Sequence, residues 1–199
     1  MVRTLILASG SQTRATLLRN AGVDFEQHEA RIDEVALRQA MQAECAAPRD
    51  IADALADMKA RKISARMGQA MVIGCDQVLA FNGCILAKPQ TLDEARQQLL
   101  ALRGQTHQLL SAAVIHEAGT PVWRYVGVAR LTMRAFTNRY LDVYLDRNWD
   151  RIRRSVGGYR IEEEGIRLFA RIDGEYFCVL GLPLLEILAY LGQREMIEK

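Results

Sequence analysis

The chain has 199 residues, half of them hydrophobic and a quarter charged, which suits one domain or two small lobes around a real core. With 26 lysines and arginines against 24 aspartates and glutamates, the net charge of +2 gives no ground for a nucleic-acid track or an anionic membrane surface. The four cysteines, Cys45, Cys75, Cys84 and Cys178, include no C-x-x-C pair and no histidine at zinc-finger spacing, so they are expected as buried free thiols in a reducing compartment.

VRTLILAS at the start reads as a buried strand, and QTRATLLRNAG as a helix closed by Gly22. The apolar run at 5–8 is too short for a signal peptide, and no apolar stretch is long enough to span a bilayer, so the expected location is the cytoplasm. VDFEQHE alternates like a second strand, EVALRQAMQAE is helical, and PRDIADALADMKARKISARMG is a longer helix opened by Pro48 and Asp50. AMVIGCD reads as a buried strand ending in an acid, and VLAF-NG-CILA as a hairpin on a type I′ turn. TLDEARQQLLALRG is a helix with Thr91 as N-cap and Glu94 in capping-box position. Two long strands, THQLLSAAVIHEAG and PVWRYVGVARLTMRAF, are expected to meet at a Gly119–Pro121 turn. TNRYLDVYLDRN follows as a helix, GIRLFARIDG and YFCVLGL as strands, and PLLEILAYLG as a final helix with Pro183 in its first turn. Early alternation with a long hairpin in the middle gives an α/β fold with a mixed sheet.

Several polar residues stand in apolar surroundings. Arg14 falls three and four residues before Leu17 and Leu18, on the face of its helix that packs inward. A charge there needs a partner. It is either a core carboxylate, with the stem snorkelling, or an anion held jointly by Arg14, the Ser9 and Ser11 hydroxyls and the helix N-terminus. Lys59 interrupts the stripe of Ala52, Leu55, Ala56 and Ile63, as a snorkelling lysine or as a second cation for the same anion. Asp76 stands at the carboxyl end of an apolar strand, where α/β sheets place their chemistry, though it can equally cap a turn. Lys88 is pinned by Pro89, and Asp33-Glu34 stands where helix caps stand. Together, cations and hydroxyls would neutralise a polyphosphate, and carboxylates would hold a hard divalent metal, Mg²⁺ or Mn²⁺. No Walker A, kinase or H-E-x-x-H pattern occurs.

These residues fall in a series of motifs: LASGSQTRATLL, IDE at 32–34, KA at 59–60, GCDQV at 74–78, AKP at 87–89, GGY at 157–159 and GLPL at 181–184. In that order they resemble the Maf family of nucleotide pyrophosphatases over nearly the whole length. The resemblance implies one domain, 1–199, with a bent mixed sheet flanked by helices and two lobes around a cleft, often as a homodimer. It implies hydrolysis of a nucleoside triphosphate between the α and β phosphates. By position, Asp76 matches the general base, Ser9, Arg14, Lys59 and Lys88 the phosphate-binding residues, and Glu34 the acid near the metal. Thr13 holds a place expected to bear on the base, where family members commonly carry Arg or an aromatic. Gln77 and Glu162 resemble the branch acting on 7-methyl-GTP. The dTTP/UTP branch carries Thr and Gln at those places. A carboxylate at Glu162 suits the N–H donors and positive charge of a methylated guanine. The other reading of the family is a nucleotide-sensing protein linked to septum formation.

Overall fold

The computed structural model describes residues 4–198, so Val2 and Arg3 of the expected first strand lie outside the described residues. In chain order the elements are β1 (Leu5–Ala8), α1 (Gln12–Asn20), β2 (Glu26–Gln27), α2 (Glu34–Ala43), α3 (Pro48–Ser64), β3 (Met71–Phe81) and β4 (Cys84–Leu86). There follow α4 (Leu92–Leu102), β5 (Thr106–Glu117), β6 (Thr120–Met133), α5 (Asn138–Ile152), β7 (Phe169–Asp173), α6 (Tyr176–Val179) and α7 (Leu184–Gln193). The strands form one mixed sheet in the order β2-β1-β3-β5-β6-β7, with β4 paired to β3. β1 runs parallel to β2 and β3, while the β3–β4 and β6–β7 pairs are antiparallel. No helix among the described residues is long and apolar enough to cross a membrane.

The chain separates into two compact units. One takes the chain up to Gln77, Leu110–Gly127 and everything from Glu175; the other takes Val78–Leu109 and Val128–Gly174. In the first unit, strand alternation sorts the core. Leu5 and Leu7 of β1 join Met71, Ile73 and Cys75 of β3 against Ala15 and Leu18 of α1 and Ile187 and Leu191 of α7. Ile6, Ala8 and Val72 face the other way, onto Ala60 and Ile63 of α3. Each large aliphatic side chain buried here stabilises the fold by roughly 1.5–3 kcal/mol. The α3 face contains a close approach: a Cβ on Gly74 would lie 2.1 Å from the Ala56 carbonyl oxygen and 2.6 Å from the Ala60 nitrogen. Helix and strand therefore touch backbone to backbone. Val72, Gly74 and Asp76 share this face by the same alternation.

In the second unit α4 and α5 are joined by the Arg96–Asp142 ion pair at 3.0 Å. His107 of β5 is buried, with Nε2 2.7 Å from the Tyr159 hydroxyl and its ring against both Tyr159 and Phe169, which also pack edge-to-face on each other. Burial lowers its pKa to about 4.

Five expectations are corrected. AMVIGCD and VLAF are one continuous strand, so Asp76 lies in the middle of β3 and does not end a strand. β3 changes partners around it, pairing with β1 from Met71 to Gly74 and with β4 from Leu79 to Phe81. YFCVLGL is not a strand. Its apolar residues suit one, but the Glu175 carboxylate accepts from the Phe177 and Cys178 amides and starts a helical turn, which Gly181 closes at φ 92°. The first half of GIRLFARIDG is a 3-10 turn, Glu164–Leu168, and only Phe169–Asp173 is extended. The β5–β6 turn is Ala118-Gly119, both at positive φ, with Thr120 and Pro121 already in β6. A two-residue primed turn matches the twist of the strands it joins. The Asn82-Gly83 turn, at φ 50° and 78°, is as expected. Of the cysteines, Cys75 and Cys178 are buried, whereas Cys45 and Cys84 are exposed because they border turns.

Gly74→Ala should lower unfolding stability by about 2–3 kcal/mol or more, since backbone atoms occupy the space a methyl needs; urea denaturation measures it, and an unchanged midpoint would contradict the close approach. His107 gives a pH test. The unfolded imidazole takes a proton near pH 6.5 while the folded one resists until about 4. Stability therefore falls as pH drops across that window, by about 3 kcal/mol in full, and His107→Gln should flatten the dependence.

Candidate active site

The carboxyl end of β1 makes the site. Its last pair with β3 is Ala8–Gly74, so the chain beyond Ala8 leaves the sheet and the next β3 carbonyl, that of Cys75, has no β1 partner. Ser9 and Ser11 follow at once. The Ser11 hydroxyl accepts from the Arg14 amide at 3.4 Å as the N-cap of α1, and the buried Ser9 hydroxyl accepts from the Ser11 amide at 3.3 Å. Gln27 Nε2, on the side chain, donates to the Ser9 carbonyl at 2.9 Å and fixes this turn. The side chain of Glu29 lies against Gly10. Thr13 is half-buried in the first turn of α1.

Arg14 reaches back over this turn. Its Nε donates to the Gly181 carbonyl at 2.7 Å, and its Nη1 donates to the Cys75 carbonyl at 3.0 Å and to Ser9 Oγ at 3.2 Å. All three acceptors are neutral, and among the described residues no carboxylate forms an ion pair with it. Of the two readings of Arg14, a core salt bridge is therefore not what the structure contains. The protein orients the guanidinium and leaves its charge uncompensated, which favours an anion.

Lys59 is treated in the opposite way. It does not snorkel: its side chain is 9% exposed, with Nζ 2.5 Å from Asp76 Oδ1 and 2.7 Å from Glu34 Oε1. Asp76 is equally buried, at 10%, and Glu34 more open, at 37%. The contact at Gly74 brings α3 close enough for this reach. Asp33 and Glu34 divide the two roles between them: the Asp33 carboxylate caps α2 by accepting from the Ala36 amide at 2.9 Å, and Glu34, the first residue of the helix, takes the ammonium. Cys75, beside Asp76, keeps its proton, because burial raises its pKa to about 11; it is not a nucleophile.

Gln77 points to the other face of β3. Its Nε2 donates to Ser111 Oγ at 3.0 Å and to the Cys178 and Val179 carbonyls at 3.1 Å each. The first unit thus gathers Ser9, Ser11, Arg14, Gln77, Lys59, Glu34 and Asp76 around the middle of β3. Lys88 and Glu162 belong to the second unit. The loop carrying Lys88 is held by Gln98 Nε2 on the Ala87 carbonyl at 3.0 Å and Gln90 Nε2 on the Lys88 carbonyl at 3.1 Å. The Glu162 carboxylate accepts from Arg160 Nε at 3.1 Å and Nη2 at 2.9 Å. Its neighbours Glu163 and Glu164 are paired as well, with Arg151 and Arg160 and with Arg147 and Arg167. Sequence reasoning missed Gly181, Ser111 and the Cys75 carbonyl. The GLPL motif marks the first; the other two act through backbone and packing, which no residue pattern reports.

Hydroxyls and a guanidinium just beyond β1, with a carboxylate–ammonium–carboxylate group at the middle of β3, give this α/β protein the kinds of groups that polyphosphate chemistry uses. The chain belongs to the Maf family: residues 4–194 match the family described as Maf-like protein. It is 57% identical over the whole of both chains to a nucleoside triphosphate pyrophosphatase of Ruegeria pomeroyi (strain ATCC 700808 / DSM 15171 / DSS-3). It is 55% identical, over 98% of each chain, to the protein of that name from Ruegeria sp. (strain TM1040). It is also 45% identical, over 96% of each, to a 7-methyl-GTP pyrophosphatase of Mesorhizobium japonicum (strain LMG 29417 / CECT 9101 / MAFF 303099).

Lys59→Met leaves the buried Asp76 carboxylate without its ammonium and should cost about 3–5 kcal/mol in urea unfolding, as removing one partner of a buried pair does. Adding Asp76→Asn should restore part of that loss. A cost under 1 kcal/mol for the single variant would mean that the ammonium is solvated in solution.

Proposed function

We propose that the chain is a hydrolase that splits nucleoside triphosphates at the α–β phosphoanhydride, releasing nucleoside monophosphate and pyrophosphate. The observation that carries this reading is Arg14, a guanidinium with only neutral partners, anchored on the Cys75 carbonyl one residue from Asp76. The names of the relatives agree with it. Arg14 and the Ser9 hydroxyl bind the phosphates, and Lys59 supplies the cation nearest Asp76. Asp76 Oδ1 receives the Lys59 ammonium, and Oδ2 accepts from the attacking water. The water oxygen bonds the α-phosphorus, the bridging P–O bond breaks, the proton passes to Asp76, and pyrophosphate leaves with the bond's electrons. For Lys88 and Glu162 the motif order alone supports a role, as a phosphate cation and as the reader of the base.

A divalent cation fits the donors present. Asp76 and Glu34 supply hard oxygen ligands that an ammonium already bridges, and Mg²⁺ or Mn²⁺ characteristically takes one or two carboxylates plus substrate phosphates. When bound, such an ion neutralises charge that develops on the phosphate oxygens.

The substrate is 7-methyl-GTP or a closely related modified purine. The carboxylate at Glu162 and the name of the Mesorhizobium relative support it. A panel of 7-methyl-GTP, GTP, UTP, dTTP and CTP with Mg²⁺ should give pyrophosphate, not orthophosphate, with the highest kcat/KM for 7-methyl-GTP. If no triphosphate yields pyrophosphate, the nucleotide-sensing reading takes its place. Asp76→Asn should lower kcat by about 10²–10⁴-fold, the range for loss of a positioned base. Turnover at the wild-type rate would remove Asp76 from the chemistry.

A further inference from the structure

The hydrogen bonds of Gln77 give this residue a task other than reading the base. α6 ends in a Schellman motif: the Leu182 amide donates to the Phe177 carbonyl at 3.0 Å, the Gly181 amide donates to the Cys178 carbonyl at 3.1 Å, and Gly181 has φ 92°. The last carbonyls of this short helix need donors, and the side chains of Gln77 and Ser111 supply them. Gln77 Nε2 lies 3.1 Å from both the Cys178 and Val179 oxygens, and Ser111 Oγ donates to the Cys178 oxygen at 2.6 Å. Because Ser111 gives its proton to that carbonyl, its oxygen is left to accept from Gln77 Nε2. Three acceptors face this nitrogen, so the orientation of the Gln77 amide is fixed by its surroundings, and its N–H groups are committed to the protein.

The turn that Gln77 holds is the one that aims Arg14. Gly181 follows the Val179 carbonyl by two residues, and its own carbonyl receives Arg14 Nε at 2.7 Å, the shortest of the three bonds that orient the guanidinium. The fit is close. A Cβ on Gly181 would lie 3.4 Å from Arg14 Nη2 and 3.6 Å from Gln77 Oε1. Gln77, on β3, and Arg14, on α1, therefore meet through one turn of backbone.

We infer that Gln77 is a positioning residue for Arg14, acting through the α6–Gly181 turn, and that it strengthens phosphate binding independently of the base. The inference rests on the phosphate role given to Arg14 above. It predicts that Gln77→Met raises KM by a similar factor, about tenfold, the effect of weakening the one Arg14–Gly181 bond, for 7-methyl-GTP, GTP and UTP alike, while kcat changes less. The order of the substrates stays the same. In an Arg14→Ala background the same substitution adds nothing.

The decisive probe carries no base. Calorimetry with inorganic tripolyphosphate should show Gln77→Met binding about tenfold more weakly than wild type. Ser111→Ala, which leaves Gln77 in place, should move binding in the same direction by a smaller factor and serves if Gln77→Met does not fold. Unchanged tripolyphosphate affinity in these variants, a reordered substrate panel, or multiplicative effects of Gln77→Met and Arg14→Ala would each overturn the inference. Failure of wild type itself to bind tripolyphosphate or release pyrophosphate would instead overturn the phosphate reading beneath it.

Discussion

The site depends on one buried ammonium held between two carboxylates. Lys59 and Asp76 meet almost out of solvent, and Glu34 reaches the same ammonium from a more open position. An isolated ion at that depth would be prohibitive, so Lys59 and Asp76 each depend on the other. Arg14 is the counterpart. It is held only by neutral oxygens, so its charge stays available to a ligand. A polyanion brought to this region meets one cation that is balanced and one that is not. That asymmetry separates a cation that organises carboxylates from one that, among the described residues, no carboxylate answers.

β3 is the shared support. A strand sends successive side chains to opposite faces, so consecutive residues of GCDQV serve different layers. Gly74 and Asp76 face α3, where the missing Cβ admits the helix and the carboxylate meets its lysine. Cys75 fills the core beneath α1, and its carbonyl holds Arg14. Gln77 grips the end of α6. A short motif therefore ties three helices to one strand, and the compactness of the motif in sequence follows from this geometry.

Much of this was legible in the residues. Arg14 and Lys59 stood out because they broke apolar periodicities, and the Asn82-Gly83 turn, the Thr91 cap and the long helices are written in local chemistry. Where the reading failed, a distant contact or a side-chain cap had the final word. YFCVLGL has the composition of a strand, yet Glu175 and Gly181 make it a turn of helix. Asp76 was expected at a strand end because an acid after an apolar run usually marks one; here β3 continues because new pairing with β4 begins at Leu79. The partners of Arg14 are not written in its neighbourhood, since two of its three acceptors are backbone carbonyls from residues 61 and 167 positions away.

The contact at Gly74 also has an evolutionary consequence. The Ala56 carbonyl, the Ala60 backbone and methyl, and Gly74 form a steric lock in which the glycine supplies the room the helix backbone needs. A side chain at position 74 would push the lysine-bearing helix off its carboxylate. Descendants of this chain should therefore keep glycine there unless the facing helix shifts with it, so that drift in the helix and drift in the strand are not independent histories.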